Sequence, residues 1–221
     1  MMTVTFDPTF IGTGRIFPAS IESTDWIGYH GTSSYYSADI DTSGFQQKKP
    51  LPVADLEHLV NIASLHGEDA SDVNGFIRLQ SLSFTPISEL ALFFVRPDSF
   101  GGQGLLHVKV LIDALFQKHA TALSSEEKAH MTAVEGQIAL IRSQQPVIYA
   151  INLQGLTRMD FGRLTLAIRV CESVPPERLV AKMQIDKAVE YDAIDVKGLR
   201  KKISTILTLP EAHYIKQLPP I

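Results

Sequence analysis

A short apolar run, Trp26, Ile27 and Tyr29, leads into His30-Gly31-Thr32 and then into two serines. Aromatic and β-branched residues that run into a glycine read as a strand ending there. Ser33 or Ser34 supplies the cap of a helical turn that carries Tyr36 and Ile40 and stops at Gly44. Glycine lets a ligand or another backbone touch bare main chain. The imidazole beside it is a donor or acceptor that switches near neutral pH. An ordinary strand-to-helix turn with a core histidine uses the same residues, so the rest of the chain has to decide.

The 221 residues are 45% hydrophobic and 20% charged, enough to bury the core of one domain spanning 1–221. The net charge is −4 and the one basic run is Arg200-Lys201-Lys202, which argues against strong non-specific nucleic-acid binding. A single cysteine, Cys171, excludes an intrachain disulfide and a cysteine-rich zinc site. The seven histidines show no His-x-x-x-His spacing, so no metal is expected. Met1 to Gly14 has no cationic start and no signal-peptide apolar run. No segment approaches the ~20 apolar residues of a membrane helix. The expectation is a cytoplasmic protein with no membrane partner, export as an effector by a signal-less route remaining open.

Residues 1–25 read as an irregular arm with one short strand, and 45–52 as a loop. Val53 to Leu65 repeats apolar residues at 56, 59, 60 and 63, a helical face closed by His66-Gly67. Residues 67–75 read as loop. Leu82-Ser83-Phe84 reads as a strand, with Thr85 the N-cap and Pro86 the first residue of a helix that buries Ile87, Leu90, Ala91 and Phe94. Leu105 to Ile112 alternates like a strand, with Leu106, Val108, Val110 and Ile112 on one face. Ser124 with Glu127 starts a helix whose stripe is Met131, Val134, Ile138 and Ile141. Strands follow at Val147–Leu153, at Leu164–Val170 with Leu164, Leu166, Ile168 and Val170 inward, and at Leu179–Ile185. Asp195 caps a last helix with Val196, Leu199, Ile203 and Ile206 inward. No strand–helix alternation of a doubly wound sheet and no Gly-x-Gly-x-x-Gly appears. The pattern predicts an α+β fold, two small, mostly antiparallel sheets around a cleft with flanking helices.

Three segments together resemble the ADP-ribosyltransferase superfamily. They are Tyr29-His30-Gly31-Thr32 with its helix and Ser43-Gly44-Phe45; Leu82-Ser83-Phe84-Thr85-Pro86 with Ala91 and Phe93-Phe94; and Arg169 through Leu179 with its Val174-Pro175-Pro176 turn. The resemblance covers about 26–186 and implies a helical insertion at about 113–146. It implies an NAD-binding cleft and an enzyme that cleaves the nicotinamide–ribose bond of NAD. ADP-ribose would then pass to a protein or nucleic-acid acceptor. Tyr29, His30, Gly31, Thr32, Ser83, Phe84, Thr85 and Phe94 become the NAD-binding residues. His30 takes a ribose hydroxyl, the Gly31 backbone takes the nicotinamide amide, and Phe84, Phe93 or Phe94 supplies a flat wall for the ring.

The family places its catalytic Glu on the strand before the proline turn. Here the outward residues of that strand are Thr165, Ala167 and Arg169. The nearest carboxylate is Glu172, on the turn, which makes Glu172 the candidate acid beside His30; Glu190 and Asp192 come after the last strand. The missing strand acid keeps two alternatives: a catalytically silent NAD-binding or interaction module, and an RNA 2′-phosphotransferase using NAD, with Arg169, Arg78 and Arg15 on the phosphate.

Overall fold

The computed structural model describes residues 1–97, 100–156, 159–162, 167–186, 189, 194–199 and 201. Two sheets and a helical lobe make up the fold. The first sheet has the order β1 (Met2–Thr5), β7 (Leu179–Gln184), β4 (Pro146–Asn152), β2 (Ile27–Ser33). Its β1–β7 pair is parallel and its other pairs are antiparallel. The second has the order β3 (Leu82–Phe84), β6 (Ala167–Val170), β5 (Met159–Gly162), antiparallel throughout. The α+β class and two mostly antiparallel sheets therefore agree with the reading from sequence.

β4 is the central strand, and its residues are buried nearly without interruption, as a strand covered on both faces requires. On one face Ile148 and Ala150 join Ile27, Tyr29, Ala181 and Met183, roofed by α5 (Ser88–Phe93). On the other, Val147, Tyr149 and Ile151 meet Phe45, Phe84, Ile168 and Val170, so the second sheet closes that face. The N-terminal arm is tied down by carboxylates. Glu89, fully buried, accepts from the N–H groups of Gly12 (2.8 Å) and Gly14 (2.5 Å). Glu22 accepts from Phe17 N–H (2.9 Å), the Tyr29 hydroxyl (2.9 Å) and the Ser88 hydroxyl. Glu89, buried, and Glu22, half-buried, thus have hydrogen-bond donors in place of water.

The lobe is formed by α3 (Val53–Leu65), α4 (Ser71–Arg78), α6 (Gln103–His119) and α7 (Ser125–Ser143), which share a core of their own. α7 follows its pattern closely: Ser124 and Glu127 form a reciprocal capping box, and Met131, Val134, Ile138 and Ile141 are buried. Among the described residues no helix is long and apolar enough to cross a membrane.

Several expectations are corrected. Leu105–Ile112 belongs to α6, not to a strand: Leu105, Val108, Leu111, Ile112 and Leu115 are buried at helical spacing, while Val110 is 58% exposed. The run has apolar residues at 105, 106, 108, 110, 111 and 112, so it contains both the alternating set 106, 108, 110, 112 and the helical set 105, 108, 111, 112; the lobe core selected the helical one. Part of 67–75 is helix α4, because Val73, Phe76 and Ile77 have α3 and α6 to cover them. Thr85 is not the cap of α5. Its N–H and C=O are both bonded to Tyr29, and the helix begins at Ser88 after Ile87. α5 also ends at Phe93, before Pro97. Of the Leu164–Val170 strand, Ile168 and Val170 are buried as expected, and Leu164 and Leu166 lie outside the described residues. Ile203 and Ile206 also lie outside them.

Helical burial of α6 has a direct consequence. Val108→Ala and Ile112→Ala, both at buried positions, should each cost roughly 1–4 kcal/mol. Val110→Lys should change stability by no more than about 0.5 kcal/mol. Urea unfolding midpoints of the three variants check this; a strand would make all three alike.

Candidate functional site

β2 carries the site. Its alternation sends Ile27 and Tyr29 into the core under α5 and His30 to the opposite face, against Phe45 and Phe84. Seven residue pairs fix its register against β4, with His30 opposite Tyr149 and Gly31 opposite Ile148. Backbone groups alternate as well. Ser34 N–H reaches Gln145 O on the β4 side (2.8 Å), whereas Tyr29 gives and takes a bond with Thr85 on the other edge (2.8 and 2.9 Å). Gly31, two residues beyond Tyr29, directs its N–H and C=O the same way. The Tyr29–Thr85 bridge is antiparallel, so the residue across from Gly31 on that edge is Ser83, and among the described residues no backbone bond joins the two.

The other side of Gly31 is closed. A Cβ at this position would lie 2.6 Å from Ala91 O, 2.9 Å from a Val95 methyl carbon and 3.3 Å from Phe94 Cβ. Glycine is therefore required by the close approach of the α5 end, whatever else its backbone does.

His30 is half-buried. Its Nδ1 lies 2.8 Å from Ser83 O. A carbonyl only accepts, so Nδ1 carries the hydrogen and Nε2 presents a lone pair. Among the described residues Nε2 has no partner. Burial holds the imidazole pKa below its usual value, outweighing the Ser83 carbonyl that favours the cation. The ring is held by Phe45 (4.9 Å between centroids, edge-on at 69°) and Phe84 (5.6 Å). The product is a neutral, oriented hydrogen-bond acceptor next to Gly31, a buried residue whose N–H and C=O no backbone bond reaches among the described residues.

The other sequence candidates separate. Phe84 is 1% exposed and supports the His30 ring from within the core. The phenylalanine beside Gly31 is Phe94, half-buried and edge-on to Phe93 at 5.5 Å. Thr32 and Thr85 are buried, and the Tyr29 side chain lies on the far face, bonded to Glu22. Ser83 contributes its carbonyl, and its register partner on β6 is Arg169. Glu172 is half-buried on the bend after β6. That bend is drawn toward the histidine, because Val174 exchanges backbone bonds with Phe45 (2.8 and 2.9 Å), which touches His30. Gly44, at φ 71°, permits this contact, since a Cβ there would strike Val174 O. Glu190 and Asp192 lie outside the described residues.

A polar row across the same sheet face was missed. His30, Tyr149 and Lys182 stand opposite one another on β2, β4 and β7. α2 (Ser37–Ser43) covers the row. The Tyr149 hydroxyl bonds Ser37 Oγ (3.1 Å) and Asp41 Oδ1 (2.8 Å), and Lys182 Nζ donates to Asp41 Oδ2 (2.7 Å). Burial pushes the Tyr149 phenol pKa up, so it remains a donor. The available signal was Ser37 and Asp41 one turn apart on a capped helix.

No protein-family model, curated protein or solved structure matches the chain.

Two outcomes test the local physics. Gly31→Ala should destabilise the fold by about 1–3 kcal/mol in denaturant unfolding, because backbone atoms of α5 must move. His30 binds a proton more weakly folded than unfolded, so its effect on stability is complete above about pH 6.5. Stability should fall as pH drops from there toward the depressed folded value. His30→Gln should remove that part of the pH dependence, as read from melting temperatures between pH 5 and 8.

Proposed function

We propose that the protein is an NAD-dependent ADP-ribosyltransferase, cleaving the nicotinamide–ribose bond and passing ADP-ribose to a macromolecular acceptor. The observation that carries the reading is His30 Nε2, a fixed acceptor, adjacent to the Gly31 N–H and C=O, which no backbone bond reaches among the described residues. A carboxamide has one donor and one acceptor side by side. It can continue the Tyr29–Thr85 bridging pattern by one step, pairing with Gly31 as a strand residue would. A ribose hydroxyl is the matching donor for Nε2. Phe94 flanks the glycine and gives an apolar neighbour for the nicotinamide ring.

Departure of nicotinamide leaves an oxocarbenium-like ribose. Orienting both ends of the breaking bond and placing a carboxylate nearby are what such a site has to supply. Glu172 is the acid assigned here, with the Phe45–Val174 bridge bringing its bend toward His30.

A second reading, a silent NAD-binding module, is favoured by one fact: the described residues of β6, Ala167 to Val170, include no acid. A third, 2′-phosphate transfer from RNA to NAD, leans on Arg169 opposite Ser83.

Chromatographic detection of nicotinamide after incubation with NAD tests the first reading, with His30→Ala expected to lower the rate about 100-fold. An NAD-dependent rise in melting temperature without nicotinamide release would leave the silent module. Loss of phosphate from a 2′-phosphorylated oligonucleotide only when NAD is present would select the third reading. No thermal shift and no release would remove the NAD assignment.

A further inference from the structure

The helical lobe holds a groove of ≈ 710 Å³, open to solvent, between α3 and the first turn of α7. Its apolar lining is Ala54, Ile62 and Leu65, and its acids are Glu57, Glu126 and Glu127; among the described residues no lysine or arginine lines it. Leu65, the last residue of α3, is 78% exposed at the groove.

The acids of the lobe differ in how they are used. Glu127 serves the fold: it closes the capping box and accepts from His66 Nε2 at 3.2 Å. Away from the groove, Glu68 is matched by Lys118 and His119 (2.9 Å each), and Asp113 and Glu135 by Lys109. Glu57 and Glu126 stand at the groove, exposed, and among the described residues neither has a partner. The His58 ring, also lining the groove, is stacked on His130 at 4.2 Å and 20°. His130 is fixed in turn by the Asp55 carbonyl at 3.0 Å. A planar ring backed in this way suits a guanidinium stacking on it. The walls are rigid elements sharing one core, so the groove is formed before anything binds.

We propose that this groove docks a basic, amphipathic segment of a partner protein. Its cationic side chains answer Glu57 and Glu126, and an aliphatic side chain covers Leu65. That the docked partner is the acceptor of ADP-ribose rests on the transferase reading; the docking itself does not.

The test uses the full chain without NAD, so failure of NAD cleavage leaves it untouched. Fluorescence anisotropy is followed for a short labelled peptide with arginine and leucine at helical spacing. A second peptide carries glutamate in place of each arginine. Saturable binding of the basic peptide, absent for the acidic one, is expected. Glu57→Lys and Glu126→Lys should each weaken it at least about tenfold. Asp39→Lys, the same charge change on α2, should leave it within about twofold. Circular dichroism of the variants should match the parent, because neither acid has a side-chain partner among the described residues and Glu126 gives α7 only the dipole match of a first-turn acid. Absence of saturable binding overturns the proposal, as does equal weakening by Asp39→Lys, which would reflect net charge alone. Displacement of the peptide by spermine at matched charge overturns it too, by making the ligand a small polycation.

Discussion

Antiparallel pairing of β2 with β4 is the constraint on which the rest depends. One residue of slip would exchange the two faces of β2, burying His30 under α5 and turning Tyr29 toward the second sheet. Seven consecutive pairs, from Ile27–Asn152 to Ser33–Pro146, prevent it. Both ends are reinforced. The Ser33 hydroxyl donates to Ile141 O at 2.7 Å, and Leu153 N–H reaches Trp26 O at 2.8 Å. With the register fixed, the His30 side chain, the Gly31 edge and the Tyr149–Lys182 row take their places with no further adjustment.

The same sheet shows how buried polarity is managed. On the α5 side, Glu22 and Glu89 accept from the main-chain N–H groups of Gly12, Gly14, Ile16 and Phe17, which lie outside any strand. On the opposite face, Asp41 joins a phenol and an ammonium, and Tyr149 is 0% exposed with its hydroxyl satisfied twice. Loss of the fully buried members is the costly case: without its partners Glu89 or the Tyr149 hydroxyl would be left unsatisfied in the interior, whereas Asp41 is exposed and Glu22 and Lys182 are half-buried. His30 differs: one nitrogen is bonded to Ser83 and the other is not bonded within the described residues. A half-bonded ring beside fully bonded networks is the physical reason for giving the site to this residue.

How much of this was legible beforehand depended on whether the signal was local. The cap at Ser124 with its Met131–Ile141 stripe, the turn from His30 to Gly44, and the apolar strands β4 and β7 are set within a few residues, and the pattern sufficed. Leu105–Ile112 was not legible, because its apolar spacing fits two periods and only contact with α3, α4 and α7 separates them. Thr85 failed for a related reason: good cap chemistry lost to a backbone bridge with a residue 56 positions earlier. Phe84 and Phe94 could not be ranked either. One is sealed by Gly28 and Leu153 from the first sheet, the other ends a helix whose length was overestimated.

Gly31 concentrates the remaining argument, since two independent demands meet there. Packing alone accounts for the absence of a side chain: Ala91 O occupies the space a methyl would need. It does not account for the edge. Strand edges left open are ordinarily covered, charged or interrupted, and here the bridge at Tyr29–Thr85 stops one step short of Gly31. That edge follows from strand direction. The bridge is antiparallel, so the residue across from Gly31 is Ser83, two before Thr85, where β3 is in register with Arg169 of β6. The Ser83 carbonyl is taken by His30 Nδ1, and α5 closes onto the Gly31 Cα, so Gly31 is buried. Packing of α5 therefore accounts for the glycine, while the separation of β3 from β2 beyond the single bridge accounts for main-chain groups that no backbone bond reaches among the described residues.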